Sequence, residues 1–343
     1  MEQSPVEPDH PKEEVSVAQT SRIAPWPSDV AIVGSGYMGR GIGQVLALAG
    51  CKCSLADVSP ELSAAGLKAM MVDANRHERD GLIPAGSTAR LQLLVHSADS
   101  IEEAVAGAEY VVEAVYEDLG VKAEVLRRVE AATSADAIIS TNTSTISMAS
   151  LSQNLQHRRR FLGAHWFNPP QFVPAVELIA GPETTSETLD AIGSLLIRAG
   201  KQPARTADRA GFVANRLQYA LFQEAAAVVE EGIATAEAVD QIVRTSFGFR
   251  LPFFGPFAIA DMAGLDVYRG CYRVFEESFG KRFVAPALLE ELVSLGRLGA
   301  KTGSGFVITD AEQATAMAER RDRAYVELGR LIDQLEHPEA GEG

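Results

Sequence analysis

Asp29-Val30-Ala31-Ile32-Val33-Gly34-Ser35-Gly36-Tyr37-Met38-Gly39 sets a short apolar run directly before three spaced glycines. An apolar run of this length bounded by glycine reads as a buried strand, and the residues from about Tyr37 to Ala49 read as the helix that follows it. In a G-x-G-x-x-G turn between strand and helix each glycine has its own reason. Gly34 permits the tight turn, Gly36 lets a pyrophosphate approach the backbone, and Gly39 lets helix and strand pack closely. Tyr37 and Met38 then lie in the first helical turn, where free N–H groups and a partial positive charge suit phosphate.

Cys53-Ser54-Leu55-Ala56-Asp57 is the next strand, completing a strand-helix-strand unit of about thirty residues. Asp57 ends it, 21 residues past Gly36. A carboxylate there accepts hydrogen bonds from ribose hydroxyls and repels a 2′-phosphate, so the pattern predicts NAD rather than NADP. Further strands are predicted at Leu93-Leu94-Val95, Tyr110–Ala114, Ala137–Ser140, Phe161–Ala164 and Ala175–Ile179, with helical patterns between most of them. Such alternation predicts an α/β fold: a mostly parallel sheet covered by helices on both faces, a Rossmann-like N-terminal domain.

After Pro203-Ala204-Arg205-Thr206 no further strand is predicted before the glycines near Gly303. Val213, Leu217, Leu221, Ala225 and Val228 fall at helical spacing, as do Tyr325, Leu328, Leu331, Ile332 and Leu335. The expected organisation is a disordered acidic, proline-rich tail over 1–27, a nucleotide-binding domain over 28–208 and an all-helical domain over 209–336.

Composition narrows the partners. With 31 Lys+Arg against 46 Asp+Glu, the net charge of −15 argues against binding a phosphate backbone, so no nucleic-acid partner is expected. No apolar run reaches the roughly 18 residues of a membrane helix, and the first 27 residues lack both a signal-peptide core and the acid-poor character of a transit peptide. The three cysteines, Cys51, Cys53 and Cys271, suit a reducing compartment, and a cytoplasmic protein is expected. Cys51-Lys52-Cys53 is too close-set for a usual zinc half-site and nothing completes one, so no metal is implied.

The second chemical signal is Ala164-His165-Trp166-Phe167-Asn168-Pro169-Pro170, with Glu177 twelve residues after the histidine. Histidine titrates near neutrality, so it accepts an alcohol proton and returns it, while a carboxylate on its far nitrogen fixes the tautomer. Taken alone, His165 reads first as a strand-closing residue bonded locally, and the rest of the chain must move that reading.

Several segments together resemble the L-3-hydroxyacyl-CoA dehydrogenase family: the glycine turn, Glu113-Ala114-Val115-Tyr116-Glu117, Asn142-Thr143-Ser144, the His165 segment, Gly211-Phe212-Val213-Ala214-Asn215-Arg216 and Lys301-Thr302-Gly303-Ser304-Gly305-Phe306. They occur in the family's order from Asp29 to about Phe306. The resemblance implies an NAD-dependent oxidoreductase of fatty acid metabolism, with a substrate cleft between the domains and a homodimer formed through the helical one. It implies His165 as catalytic base with Glu177 orienting it, Ser144 touching nicotinamide and substrate hydroxyl, and Asn215 binding substrate. Glu117, Lys122, Asn168 and Lys301 sit where the family contacts NAD.

Two features leave the substrate open between a hydroxyacyl-CoA and a CoA-free hydroxy compound. Trp166 and the Pro169-Pro170 pair resemble relatives acting on sugar acids, carnitine or a pyridine carboxylate. In addition, the helix after Asp57 offers only Lys68, Arg76 and Arg79 to coenzyme A phosphates, in a run interrupted by acids. A non-catalytic NAD-binding protein on the same scaffold is the remaining alternative, and the His165/Glu177 pair argues against it.

Overall fold

The computed structural model describes residues 26–337. The tail expected over 1–27 lies outside them except for Trp26 and Pro27. Trp26 is partly buried against the core of the first unit, and the Arg198 guanidinium lies 4.4 Å from its ring centroid.

The strands are β1 (Asp29–Val33), β2 (Lys52–Ala56), β3 (Val95–Ser97), β4 (Tyr110–Glu113), β5 (Ile138–Thr141), β6 (Phe161–Trp166), β7 (Ala175–Ala180) and β8 (Gln202–Ala207). They form one eight-stranded sheet in the order β3-β2-β1-β4-β5-β6-β7-β8. Every neighbouring pair is parallel except β6 and β7. Helices α1 (Tyr37–Leu48), α2 (Pro60–Arg79), α3 (Ser87–Leu94), α4 (Ile101–Val105), α5 (Leu119–Ala132), α6 (Met148–Leu151) and α7 (Ser186–Arg198) connect them.

The continuous apolar character of β1 follows from burial on both faces. Val30 and Ile32 enter one core with Leu46, Leu55 and Leu195, whereas Ala31 and Val33 enter the other with Leu126, Ile139 and Phe161. Because β1 lies between β2 and β4, the strand order reverses there, and the crevice at the carboxyl ends of β1 and β4 is where such sheets bind ligands.

Two strand expectations are corrected. Leu93 and Leu94 end α3, and the strand starts at Val95. Gln202–Ala207, which carries no alternating apolar signal, is the edge strand β8, paired only with β7. An edge strand needs one hydrogen-bonded side only, which is why Pro203 is tolerated in it.

The described residues divide into two compact units between Ala220 and Leu221, within α8 (Ala214–Glu230). The second unit continues with α9 (Ala236–Thr245), α10 (Pro256–Ala263), α11 (Leu265–Phe279), α12 (Ala287–Ser294) and α13 (Ala311–Glu336). Its core centres on Ala260, Leu265, Leu289, Leu292 and Val293. The Asp261 carboxylate, fully buried, accepts backbone N–H bonds from Phe306, Val307 and Ile308, tying the glycine loop before α13 to α10.

Candidate active site

The turn after β1 has the shape its glycines predict. Gly34 has φ +102°, which L side chains rarely adopt, and a Cβ on Gly39 would stand 1.8 Å from the Gly34 carbonyl oxygen. A Cβ on Gly36 would meet nothing within 4 Å, so the space before α1 is open. No side chain caps α1, which leaves its first-turn N–H groups to an anionic ligand. Tyr37 is exposed and Met38 half-buried beside that space. An open cradle at an uncapped helix N-terminus fits a dinucleotide phosphate.

Asp57 follows β2 and holds the turn from the side. Its Oδ2 accepts from the Ser35 N–H and hydroxyl, both at 2.7 Å, and its Oδ1 from the Val58 N–H at 2.8 Å. The half-buried carboxylate keeps lone pairs for ribose hydroxyls. Asp57→Ala is expected to weaken NAD roughly tenfold or more and to narrow the preference over NADP, since a bond to a charged acceptor contributes about 1.5–3 kcal/mol. Titration with both cofactors checks this; equal affinities in the parent protein would contradict the role given to Asp57.

At the other end of the sheet the β6–β7 hairpin turns a spacing of twelve into a cross-strand pair, with His165 directly opposite Glu177. Both are buried, at 3% and 5% exposure. His165 Nδ1 lies 2.8 Å from Glu177 Oε2. The tautomer with Nδ1 as donor to the carboxylate leaves Nε2, 3.2 Å from Ser144 Oγ, as the acceptor. Glu177 Oε1 is held by the Val213 and Ala214 N–H groups, each at 3.0 Å, which sets its charge against the positive end of α8. Asn215, one residue further on, donates its Nδ2 to the Ser144 carbonyl at 3.3 Å. Ser144, His165, Glu177 and Asn215 thus share one hydrogen-bonded chain.

Phe212, Phe167 and Asn142 lie in the segments that carry the resemblance, but the sequence assigns none of them a role. Phe212 adopts φ +47°, a left-handed conformation costing a bulky residue on the order of 1–3 kcal/mol. That turn aims the next two N–H groups at Glu177, and the Phe212 ring lies 5.6 Å from the imidazole, with Phe167 at 4.5 Å. Asn142 Oδ1 accepts the Trp166 N–H at 3.0 Å, joining the Ser144 turn to the histidine strand.

Lys122 departs from the expectation of direct NAD contact, because its side chain has no exposed surface. Nζ lies 2.8 Å from Glu113 Oε1 and also donates to the Val115 and Asn142 carbonyls. Burial pushes the Glu113 carboxyl up, against the opposing pull of Lys122 and the bonds from Thr141 and Val115. Glu117 remains partly exposed; its Oε1 accepts from Thr143 Oγ1 at 2.6 Å and the Ser144 N–H at 2.9 Å. Burial raises its pKa, yet these bonds and Lys122 outweigh that and hold it below the usual carboxylate value. Asn168 is exposed at the start of the loop after β6. Lys301 belongs to the second unit, where its Nζ pairs with Asp266 at 2.8 and 3.0 Å.

Residues 29–209 match the family model described as 3-hydroxyacyl-CoA dehydrogenase, NAD binding domain, and residues 211–309 match the corresponding C-terminal domain. The chain is similar to 5-formyl-3-hydroxy-2-methylpyridine 4-carboxylate 5-dehydrogenase of Mesorhizobium japonicum, with 32% identity over 90% of this chain and 99% of the relative. It is also similar to a probable 3-hydroxybutyryl-CoA dehydrogenase of Bacillus subtilis, with 31% identity over 84% of this chain and 98% of the relative. Among solved structures it resembles the 3-hydroxyacyl-CoA dehydrogenase of Archaeoglobus fulgidus, with a TM-score of 0.73, 32% identity and coverage of 88% of this chain and 98% of that one.

Proposed function

Because the chain belongs to the 3-hydroxyacyl-CoA dehydrogenase family, an NAD-dependent oxidoreductase family, we propose that it reversibly oxidises the hydroxyl of an L-3-hydroxyacyl-CoA to the 3-oxo compound. The observation that carries this reading is the chain Ser144–His165–Glu177, with the imidazole's free nitrogen beside the serine hydroxyl. His165 Nε2 takes the alcohol proton, and the Glu177 carboxylate stabilises the imidazolium that results. Ser144 and Asn215 hold the substrate oxygen while its charge changes, which is the office of preorganised donors. NAD, when bound, supplies the hydride acceptor. In the reverse direction the imidazolium returns the proton to the developing alkoxide.

Gly34, Gly36, Tyr37, Met38 and Gly39 seat the pyrophosphate, Asp57 the ribose, and Ser144, Asn168 and Lys301 further parts of the cofactor. Glu117 and Lys122 act by fixing the Ser144 turn. We assign cofactor binding to residues 28–208 and substrate binding and dimerisation to 209–336. Exposed Phe222, Ile233, Ile242 and Val274 in the helical unit support a homodimer formed through it. Free thiols at Cys51, Cys53 and Cys271 suit the cytoplasm, where such a reaction serves fatty acid metabolism.

One observation favours the second reading, a CoA-free hydroxy compound with the same chemistry. On α2, Arg76 lies 3.5 Å from Asp73, which also pairs with Arg40 at 3.2 Å, and Arg79 pairs with Asp80 at 3.0 Å. Arg76 thus shares one carboxylate with Arg40 and Arg79 has its own, which reduces the charge these arginines offer to the phosphates of coenzyme A. A panel of matched CoA-thioester and free-acid hydroxy compounds, read as NADH formation, separates the two. Turnover confined to thioesters is the expected result; turnover confined to free acids would transfer the assignment to the second reading.

A further inference from the structure

Helix α13 lies beyond residue 309, where the match to the family model ends, and it lines an open pocket of about 270 Å³ in the helical unit. The floor and wall are Ile259, Met262 and Ala263 from α10, and the polar groups are Arg250, Arg321 and Tyr325. Arg321 and Tyr325 are four apart on α13 and so face the same way. Phe249 and Phe254 meet the Tyr325 ring edge-on, at 5.6 and 6.3 Å between centroids, and fix its position.

The polar groups are incompletely satisfied. Tyr325 Oη is buried and has no hydrogen-bond partner. Burial raises the tyrosine pKa, opposed by the charges of Arg250 and Arg321, so its hydroxyl is within electrostatic reach of both guanidinium groups. Arg321 is neutralised at the rim by Asp322, 2.7 Å away. Arg250 is half-buried and forms no salt bridge among the described residues. The Arg250 guanidinium and the Tyr325 hydroxyl line one pocket and neither has a side-chain hydrogen-bond partner among the described residues, so both have donors to offer an anion that enters it.

We propose that this cavity is a binding site for a small organic oxyanion, whose charged end takes hydrogen bonds from Arg250 and Tyr325 while its carbon body lies on Ile259, Met262 and Ala263. The charged end is a carboxylate or a phosphate, both of which match a guanidinium fork. The cavity is at the small end of ligand sites, which run from about 300 Å³ upward, so the body is a few carbons long.

Calorimetric titration of the full chain with butyrate and, separately, with inorganic phosphate tests this without NAD or turnover. Saturable binding of at least one is expected, weakened roughly tenfold to a hundredfold by Arg250→Met, by the loss of a charge-assisted bond, and several-fold by Tyr325→Phe. Tighter butyrate assigns a carboxylate ligand and tighter phosphate a phosphate-bearing one. Tyr325→Phe keeps the ring and so remains informative if Arg250→Met fails to fold. No saturable binding of either anion, or binding that the folded variants leave unchanged, would overturn the proposal.

Discussion

Replacing His165 with glutamine is expected to lower kcat by about 10²–10⁴-fold, the usual contribution of a positioned acid or base, with NAD affinity unchanged. The reason lies in the division of labour along the hydrogen-bonded chain. Glutamine fills much of the space between Phe167 and Phe212 and still offers a donor to Glu177, but it has no nitrogen that accepts and returns a proton near neutrality. The phosphate turn and Asp57 belong to other strands and keep their own bonds. Steady-state rates alongside NAD titration check both halves. Unchanged kcat would remove the centre of the proposed mechanism, and parallel loss of NAD binding would assign His165 a structural role instead.

Lys122→Met is expected to destabilise the protein by about 3–5 kcal/mol, the effect of breaking a buried ion pair by removing one partner. Glu113 and Lys122 both have fully buried side chains, and the lysine also bridges the Val115 and Asn142 carbonyls. Without the ammonium, Glu113 keeps a charge with no counter-ion. Its pKa is already raised by burial, so in the native state it holds its proton to higher pH than in the unfolded chain. The resulting penalty is absent below the unfolded carboxylate pKa and complete above the raised native one. The variant's deficit therefore shrinks as pH falls into the carboxylate range. Denaturant unfolding at several pH values reads this directly, and a loss under about 1 kcal/mol at neutral pH would show that the pair contributes little. A double variant, Glu113→Leu with Lys122→Met, should recover much of the loss by removing both charges.

The structure of this chain was legible where the sequence forces local geometry. An apolar run broken by G-x-G-x-x-G admits few conformations, and β1, its turn and α1 follow from it. A carboxylate at the end of the second strand likewise has one place to go. The histidine segment was different: twelve residues bring His165 opposite Glu177 only because β6 and β7 run antiparallel, in a sheet whose pattern of alternation suggests parallel pairs. Edge strand β8 was hidden because an exposed strand shows no apolar alternation. Phe212 was hidden for a stronger reason. Its backbone is left-handed beside the imidazole and just before α8, and nothing in a phenylalanine announces that. Lys122 reads from the resemblance as an NAD contact, and only the tertiary structure reveals the buried glutamate that holds it.

In the proposed reaction hydride leaves a carbon whose hydroxyl His165 deprotonates. The most direct measurement uses 3-hydroxybutyryl-CoA bearing deuterium on the carbinol carbon, incubated with NAD and the intact protein, followed by mass spectrometry of the nicotinamide product. The predicted result is one deuterium transferred per molecule of NADH formed, with transfer abolished in His165→Gln. Reduced cofactor without deuterium, or undiminished transfer in the variant, would contradict it.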